Sequence, residues 1–123
     1  MATPVRRERV AEQLHHELSD ILQNEINDPR KGWVTVVRVE MSPDLTVAKA
    51  FVSIYGDERA KRESLRVLER AGHFVRSEIG RRIRLRQTPE IRFVLDESIE
   101  HSQRIQDILR DTPIPPPDGD ENA

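Results

Sequence analysis

The chain has 123 residues, 36% hydrophobic and 34% charged, enough for one compact domain with a modest core and a heavily charged surface. No apolar run reaches membrane-spanning length, the amino terminus lacks the apolar stretch of a secretory signal, and the absence of cysteine excludes disulfides, thiolate metal sites and a cysteine nucleophile; a cytosolic protein is expected. The net charge of −2 conceals an asymmetry: residues 1–110 carry 20 basic against 18 acidic groups, whereas Asp111, Asp118, Asp120 and Glu121 stand in a stretch without Lys or Arg.

From Val5 to Ile26 the residues Val10, Leu14, Leu18, Ile21, Leu22 and Ile26 recur at spacings of three and four, which predicts an amphipathic helix ended by Asn27-Asp28-Pro29. Arg30-Lys31-Gly32 reads as a loop. Trp33 to Met41 is β-branched and alternates at its end, with Val37, Val39 and Met41 opposite Arg38 and Glu40. Ser42-Pro43-Asp44 is a turn signal. Thr46 to Tyr55 alternates again, with Ala48, Ala50, Val52 and Ile54 on one side, so the two strands are expected to form an antiparallel hairpin.

Gly56-Asp57-Glu58 opens a second helix with Leu65, Leu68, Ala71, Val75 and Ile79 inward and Gly72 and Gly80 as weak points. Glu90 to Asp96 is a third strand with Ile91, Phe93 and Leu95 on one side. Ser98 is expected to cap a last helix with Ile99, Ile105, Ile108 and Leu109 inward. Residues 111–123 are acidic, rich in proline and too polar to bury a core, so residues 1–110 are expected to form the domain and the rest a disordered tail. The expected fold is α+β, with order α-β-β-α(kinked)-β-α and a three-stranded sheet carrying its helices on one face.

Catalysis finds little support. His15 and His16 are neighbours about 100° apart on a helix and do not chelate one metal ion together. No phosphate-binding glycine loop or nucleophile elbow is present, so no enzyme, metal or cofactor is expected. The second helix is more informative. Arg62, Arg66, Arg70, His73, Ser77, Arg81 and Arg84 follow at spacings of three and four, and Arg70, Arg76 and Arg84 have no acidic residue three or four positions away. Glu58 is expected to pair with Arg62, and Glu78 with Arg82. From Arg76 to Arg86, both included, there are five arginines against the single Glu78. Such a field attracts phosphate by counterion release, although a solvated helix face has the same pattern. Phe51 and Phe93 are expected inside the domain, which leaves little for a base-stacking sheet; Trp33, beside Arg30 and Lys31 at a strand entrance, either stacks on a base or plugs the core, and the core is the expected place.

Asn27-Asp28-Pro29-Arg30, Gly32-Trp33-Val34-Thr35-Val36 and Met41-Ser42-Pro43-Asp44-Leu45 resemble blocks of the ribosome-binding factor A family. So do the run from Phe74 to Arg86, Thr88-Pro89-Glu90-Ile91-Arg92-Phe93 and Asp96-Glu97-Ser98-Ile99. These blocks follow in order from Asn27 to Ile99, and the resemblance as a whole covers roughly Val5 to Leu109. The resemblance implies a type II KH-like domain whose usual GxxG loop is replaced by a helix kink at Ala-x-Gly. Here that position reads Ala71-Gly72-His73, with the kink expected at Ala71 and Gly72 and His73 where the family has its glycine.

The resemblance further implies a non-enzymatic assembly factor, expected as a monomer. It would bind the free 30S ribosomal subunit or its precursor, assist late maturation and processing of 16S rRNA, and be released with the help of a GTPase partner. Arg70, His73, Arg76, Arg81, Arg82, Arg84 and Arg86 are the expected nucleic-acid contacts, with Arg6, Arg7, Arg9, Arg30 and Lys31 as a secondary set. The alternative is a protein-interaction domain that binds its partner through the sheet face or edge.

Overall fold

The computed structural model describes residues 3–97 and residue 108. Helix α1 runs Pro4–Asn24. Thr3 caps it, its hydroxyl oxygen accepting the Arg6 N–H at 3.1 Å, and Pro4 occupies the first turn, where its missing N–H has no consequence. Val10, Leu14, Leu18, Ile21 and Leu22 form its buried stripe. Past its end, Pro29–Lys31 forms a 3-10 turn capped by the Asp28 side chain. The Lys31 ammonium donates to the Leu22 carbonyl, satisfying one of the acceptors that a helix end leaves without a partner.

Strands β1 (Val34–Met41) and β2 (Val47–Ile54) pair antiparallel. In β1 the buried residues are Val34 and Val36, then Met41, with Val39 half-buried: the parity changes midway. A bulge between Val36 and Arg38 absorbs the change, with Val37 as the extra residue, so the alternation read from Val37 onward applies only beyond it. In β2, Ala48, Ala50, Val52 and Ile54 all face the core. The connecting turn is held by Asp44, whose carboxylate accepts from the Ser42 hydroxyl, the Thr46 N–H and the Thr46 hydroxyl; these bonds depress its pKa.

The expected kinked helix is two helices, α2 (Glu58–Arg70) and α3 (Gly72–Arg82), with Ala71 between them at φ −82° and ψ 2°. Asp57 caps α2 by accepting the Ala60 N–H at 2.8 Å. Gly56 has φ +132°, and a β-carbon there would lie 2.8 Å from that of Ala60, so the turn from β2 into α2 requires glycine. Strand β3 (Glu90–Leu95) returns parallel to β2, giving sheet order β1-β2-β3. The α2–α3 pair thus forms the crossover that parallel strands require.

Helices α1, α2 and α3 lie on one sheet face, where Leu14, Leu18, Leu68, Val75 and Ile79 meet Ala48, Ala50, Val52 and Ile54. Burying each large aliphatic side chain contributes about 1.5–3 kcal/mol. The two-residue spacing of β2 and the helical spacing of α1 are consequences of this single buried layer. Among the described residues, none covers the other sheet face. The expected last helix and the tail at 111–123 fall outside the described residues. The exception is Ile108, which is helical but 56% exposed, so the inward position expected for it is not the one it takes.

Candidate nucleic-acid interface

An arginine whose guanidinium is already held by carboxylates has fewer donors left for a phosphate. Arg82 is held. Its side chain is 22% exposed, with Nη1 2.6 Å from Asp20 and 3.1 Å from Glu17, Nε 3.4 Å from Glu78, and Nη2 3.7 Å from Glu25. Arg82 depresses the Asp20 pKa, chiefly through its hydrogen bond. These pairs fasten α3 to α1 through Arg82, whose side chain also lines the groove described below. Arg81 also pairs with Glu78, but its side chain stays exposed.

Arg76 donates from Nη2 to the Thr88 carbonyl at 2.9 Å, which positions the guanidinium without neutralising it. Arg70, His73, Arg84 and Arg86 are exposed and form no ion pair among the described residues. Arg62 joins them. Its expected partner Glu58 lies instead 3.8 Å from Lys61, a nearly buried lysine that also reaches Glu97 at 3.4 Å. That lysine is one position before Arg62, and helical spacing allowed either pairing.

The secondary set divides. Arg6 and Arg9 are exposed and Arg7 is half-buried. Arg30 is committed to Asp28 by two bonds, at 3.0 Å and 2.8 Å, and its guanidinium holds the Asp28 carboxyl down at about 2. Lys31 is committed to Leu22. Arg9, however, lines an open groove between α1 and the exit of α3 together with Arg84, 75 positions later in the chain, and with Gln13 and His16. The fold thus brings two arginines without ion pairs from distant segments to the same groove. His15 also lines it, but its Nε2 is engaged by the Val36 carbonyl at 2.9 Å.

Beside the break at Ala71 a second cleft is bounded by Arg70, Ala71 and Phe74 on the helices and by Ile26, Asn27 and Asp28 beyond α1. Phe74 is 42% exposed there, a feature that sequence periodicity does not single out. Gly72 has open space around its missing side chain, whereas a β-carbon on Gly80 would come within 3.0 Å of the Thr88 hydroxyl. Gly80 therefore serves packing. Among the described residues no group of three His, Asp or Glu side chains is placed to hold a metal ion, and no helix is long and apolar enough to cross a membrane.

Two aromatic expectations are corrected. Trp33 does not plug the core but is 70% exposed, because Val34 takes the inward position and alternation turns Trp33 to the open sheet face. Phe51 also lies on that face, between the inward residues Ala50 and Val52, with the Arg38 guanidinium stacked 3.9 Å above its ring. Phe93 packs against the core as expected.

Residues 6–109 match the model of the family described as ribosome-binding factor A. A ribosome-binding factor A from Natranaerobius thermophilus is 51% identical over 106 residues, covering 86% of this chain and 81% of that relative. The crystal structure of ribosome-binding factor A from Thermus thermophilus superposes with a TM-score of 0.64 at 29% identity, covering 72% of this chain and 94% of that one. A homology model of the Thermus thermophilus factor, fitted into a cryo-electron microscopy map of its 30S complex, superposes with a TM-score of 0.62 at 28% identity, covering 74% and 96%.

Proposed function

The chain belongs to the ribosome-binding factor A family, and we propose that it acts as an assembly factor that binds the free 30S ribosomal subunit or its precursor and assists late maturation and processing of 16S rRNA. The observation that carries this reading is the set of exposed arginines without carboxylate partners among the described residues: Arg62 and Arg70 on α2, Arg84 and Arg86 beyond α3, and Arg9 across the groove. Arg76 and Arg81 add cationic charge with part of their donor capacity already used, and His73 stands at the break between the helices. The Thermus thermophilus relative in its 30S complex supports the same partner.

Contacts of this kind are directed at the phosphate backbone and carry affinity without base readout, so specificity rests on the shape of the assembled subunit. The protein acts as a monomer in the cytoplasm, and a GTPase partner drives its release. No chemical step is assigned to it. Co-sedimentation with free small subunits and with complete ribosomes, at low and at high salt, tests the reading. Selective binding to the small subunit that weakens steeply with salt is the expected result. Binding indifferent to salt would instead favour a protein partner at the open sheet face, and no binding at low salt would remove the reading.

A further inference from the structure

The largest exposed apolar side chains include Trp33, 70% exposed, and Tyr55, 83% exposed, and they stand together. Val34 pairs with Ile54 in the hairpin, and one step further out the Tyr55 N–H donates to the Trp33 carbonyl at 3.0 Å. The two are therefore directly opposed across the strands, where β-carbons lie about 4.5–5.5 Å apart. Because Val34 and Ile54 both face the core, both rings rise from the sheet face that none of the described residues covers. Thr35, Ser53 and Asp57 line the same cleft.

We propose that Trp33 and Tyr55 form a stacking platform for an unpaired nucleobase of the RNA that this protein binds. The proposal rests on the RNA-binding reading above and adds a contact on a different face from the groove shared by Arg9 and Arg84. Three observations favour a base over an apolar protein surface. An aromatic side chain offers roughly 150–250 Å², so the pair presents at most about 500 Å², well under the ~800 Å² per partner of a stable protein interface. That area suits one or two bases.

The immediate surroundings are polar: two hydroxyls and the Asp57 carboxylate, of which one oxygen already caps α2. These are groups that meet the edge of a base, and the carboxylate favours a base over a phosphate at this spot. Finally, α2 begins three residues after Tyr55, and Arg59 and Arg62 on its first two turns are exposed without ion pairs among the described residues. They supply cations for the flanking phosphates. Aromatic stacking tolerates any base, since every base has a π-face.

Trp33 is the only tryptophan of the chain, so its emission reports on this contact directly. The test titrates the full chain with a short oligoadenylate and follows Trp33 fluorescence, with anisotropy of a labelled oligoadenylate for variants that lack the indole. Saturable quenching is expected. Tyr55→Ala and Trp33→Ala should each weaken binding by about 5- to 150-fold, while Tyr55→Phe retains it. Both side chains are exposed, so these variants are expected to melt like the unaltered protein. Salt-dependent oligoadenylate binding with unchanged emission and unchanged affinity in Tyr55→Ala would overturn the platform and leave the RNA-binding reading standing. Absence of binding to both oligoadenylate and small subunits would remove both. A shift of Trp33 emission with small-subunit proteins stripped of RNA, and none with oligoadenylate, would overturn the platform in favour of a protein partner.

Discussion

Arg82 Nη1 lies 2.6 Å from the Asp20 carboxylate, 62 positions earlier in the chain, and this bond joins the end of α3 to the outer face of α1. Arg84, two residues further on, has no such partner among the described residues and looks into the groove that Arg9 shares. Two arginines from one basic run therefore have different surroundings. Arg82→Ala should lower the melting temperature, with the difference shrinking at high salt, and leave the small-subunit affinity of the folded protein close to that of the parent. Arg84→Ala should leave melting unchanged and weaken binding, reducing the slope of log affinity against log salt by about 1. Thermal denaturation alongside a salt series of binding measurements separates the two.

The acid limb of stability carries the same ion pairs. Asp20 is depressed first by its hydrogen bond from Arg82, and Asp28 is lowered from 3.8 to about 2, first by the Arg30 side chain. For a carboxyl whose folded pKa lies below its unfolded value, the stabilisation is complete above the unfolded value and disappears as pH falls through the folded one. Stability should therefore decline between about pH 4 and pH 2. In Asp28→Asn this part of the decline should flatten. Melting temperatures recorded down to pH 2 check this, and NMR titration of Asp28 should give a midpoint of about 2.

The two glycines that flank α2 should respond in opposite directions to alanine. Gly56 combines φ +132° with only 2.8 Å to the Ala60 β-carbon, so Gly56→Ala should destabilise the protein by more than about 1 kcal/mol. Gly72 opens α3 with nothing within 4 Å of its missing side chain, and Gly72→Ala should stabilise by about 0.4–1 kcal/mol through the unfolded chain. Denaturant titration of both variants measures the sign directly.

A buried layer of side chains leaves its period in the sequence, and for that reason α1, β2 and the core face of α2 and α3 are legible from Leu14, Leu18, Ala50, Val52, Leu68, Val75 and Ile79. The bulge at Val37 is not, because a single inserted residue leaves a run of valines looking uniform on both sides of the parity change. Trp33 escapes for a related reason: its inward or outward direction is fixed by the parity of Val34 and Val36, which the alternation from Val37 onward does not include.

At the site, local spacing identifies the basic run but not which of its members are neutralised. Glu17 and Asp20 reach Arg82 across more than 60 positions, and the convergence of Arg9 with Arg84 is equally a product of tertiary packing. Helical spacing predicts partners three and four residues away, and the choice of Glu58 between Lys61 and Arg62 shows how little that decides when one of the two is buried.

The most direct measurement is co-sedimentation with free small subunits of a variant in which Arg70, Arg84 and Arg86 are all changed to Glu, compared with Arg82→Ala and the unaltered protein at low salt. If the exposed arginines without carboxylate partners hold the ribosomal RNA, the triple variant stays folded and remains in the supernatant while the other two pellet with the subunit. A folded triple variant that pellets as the unaltered protein does would contradict the account.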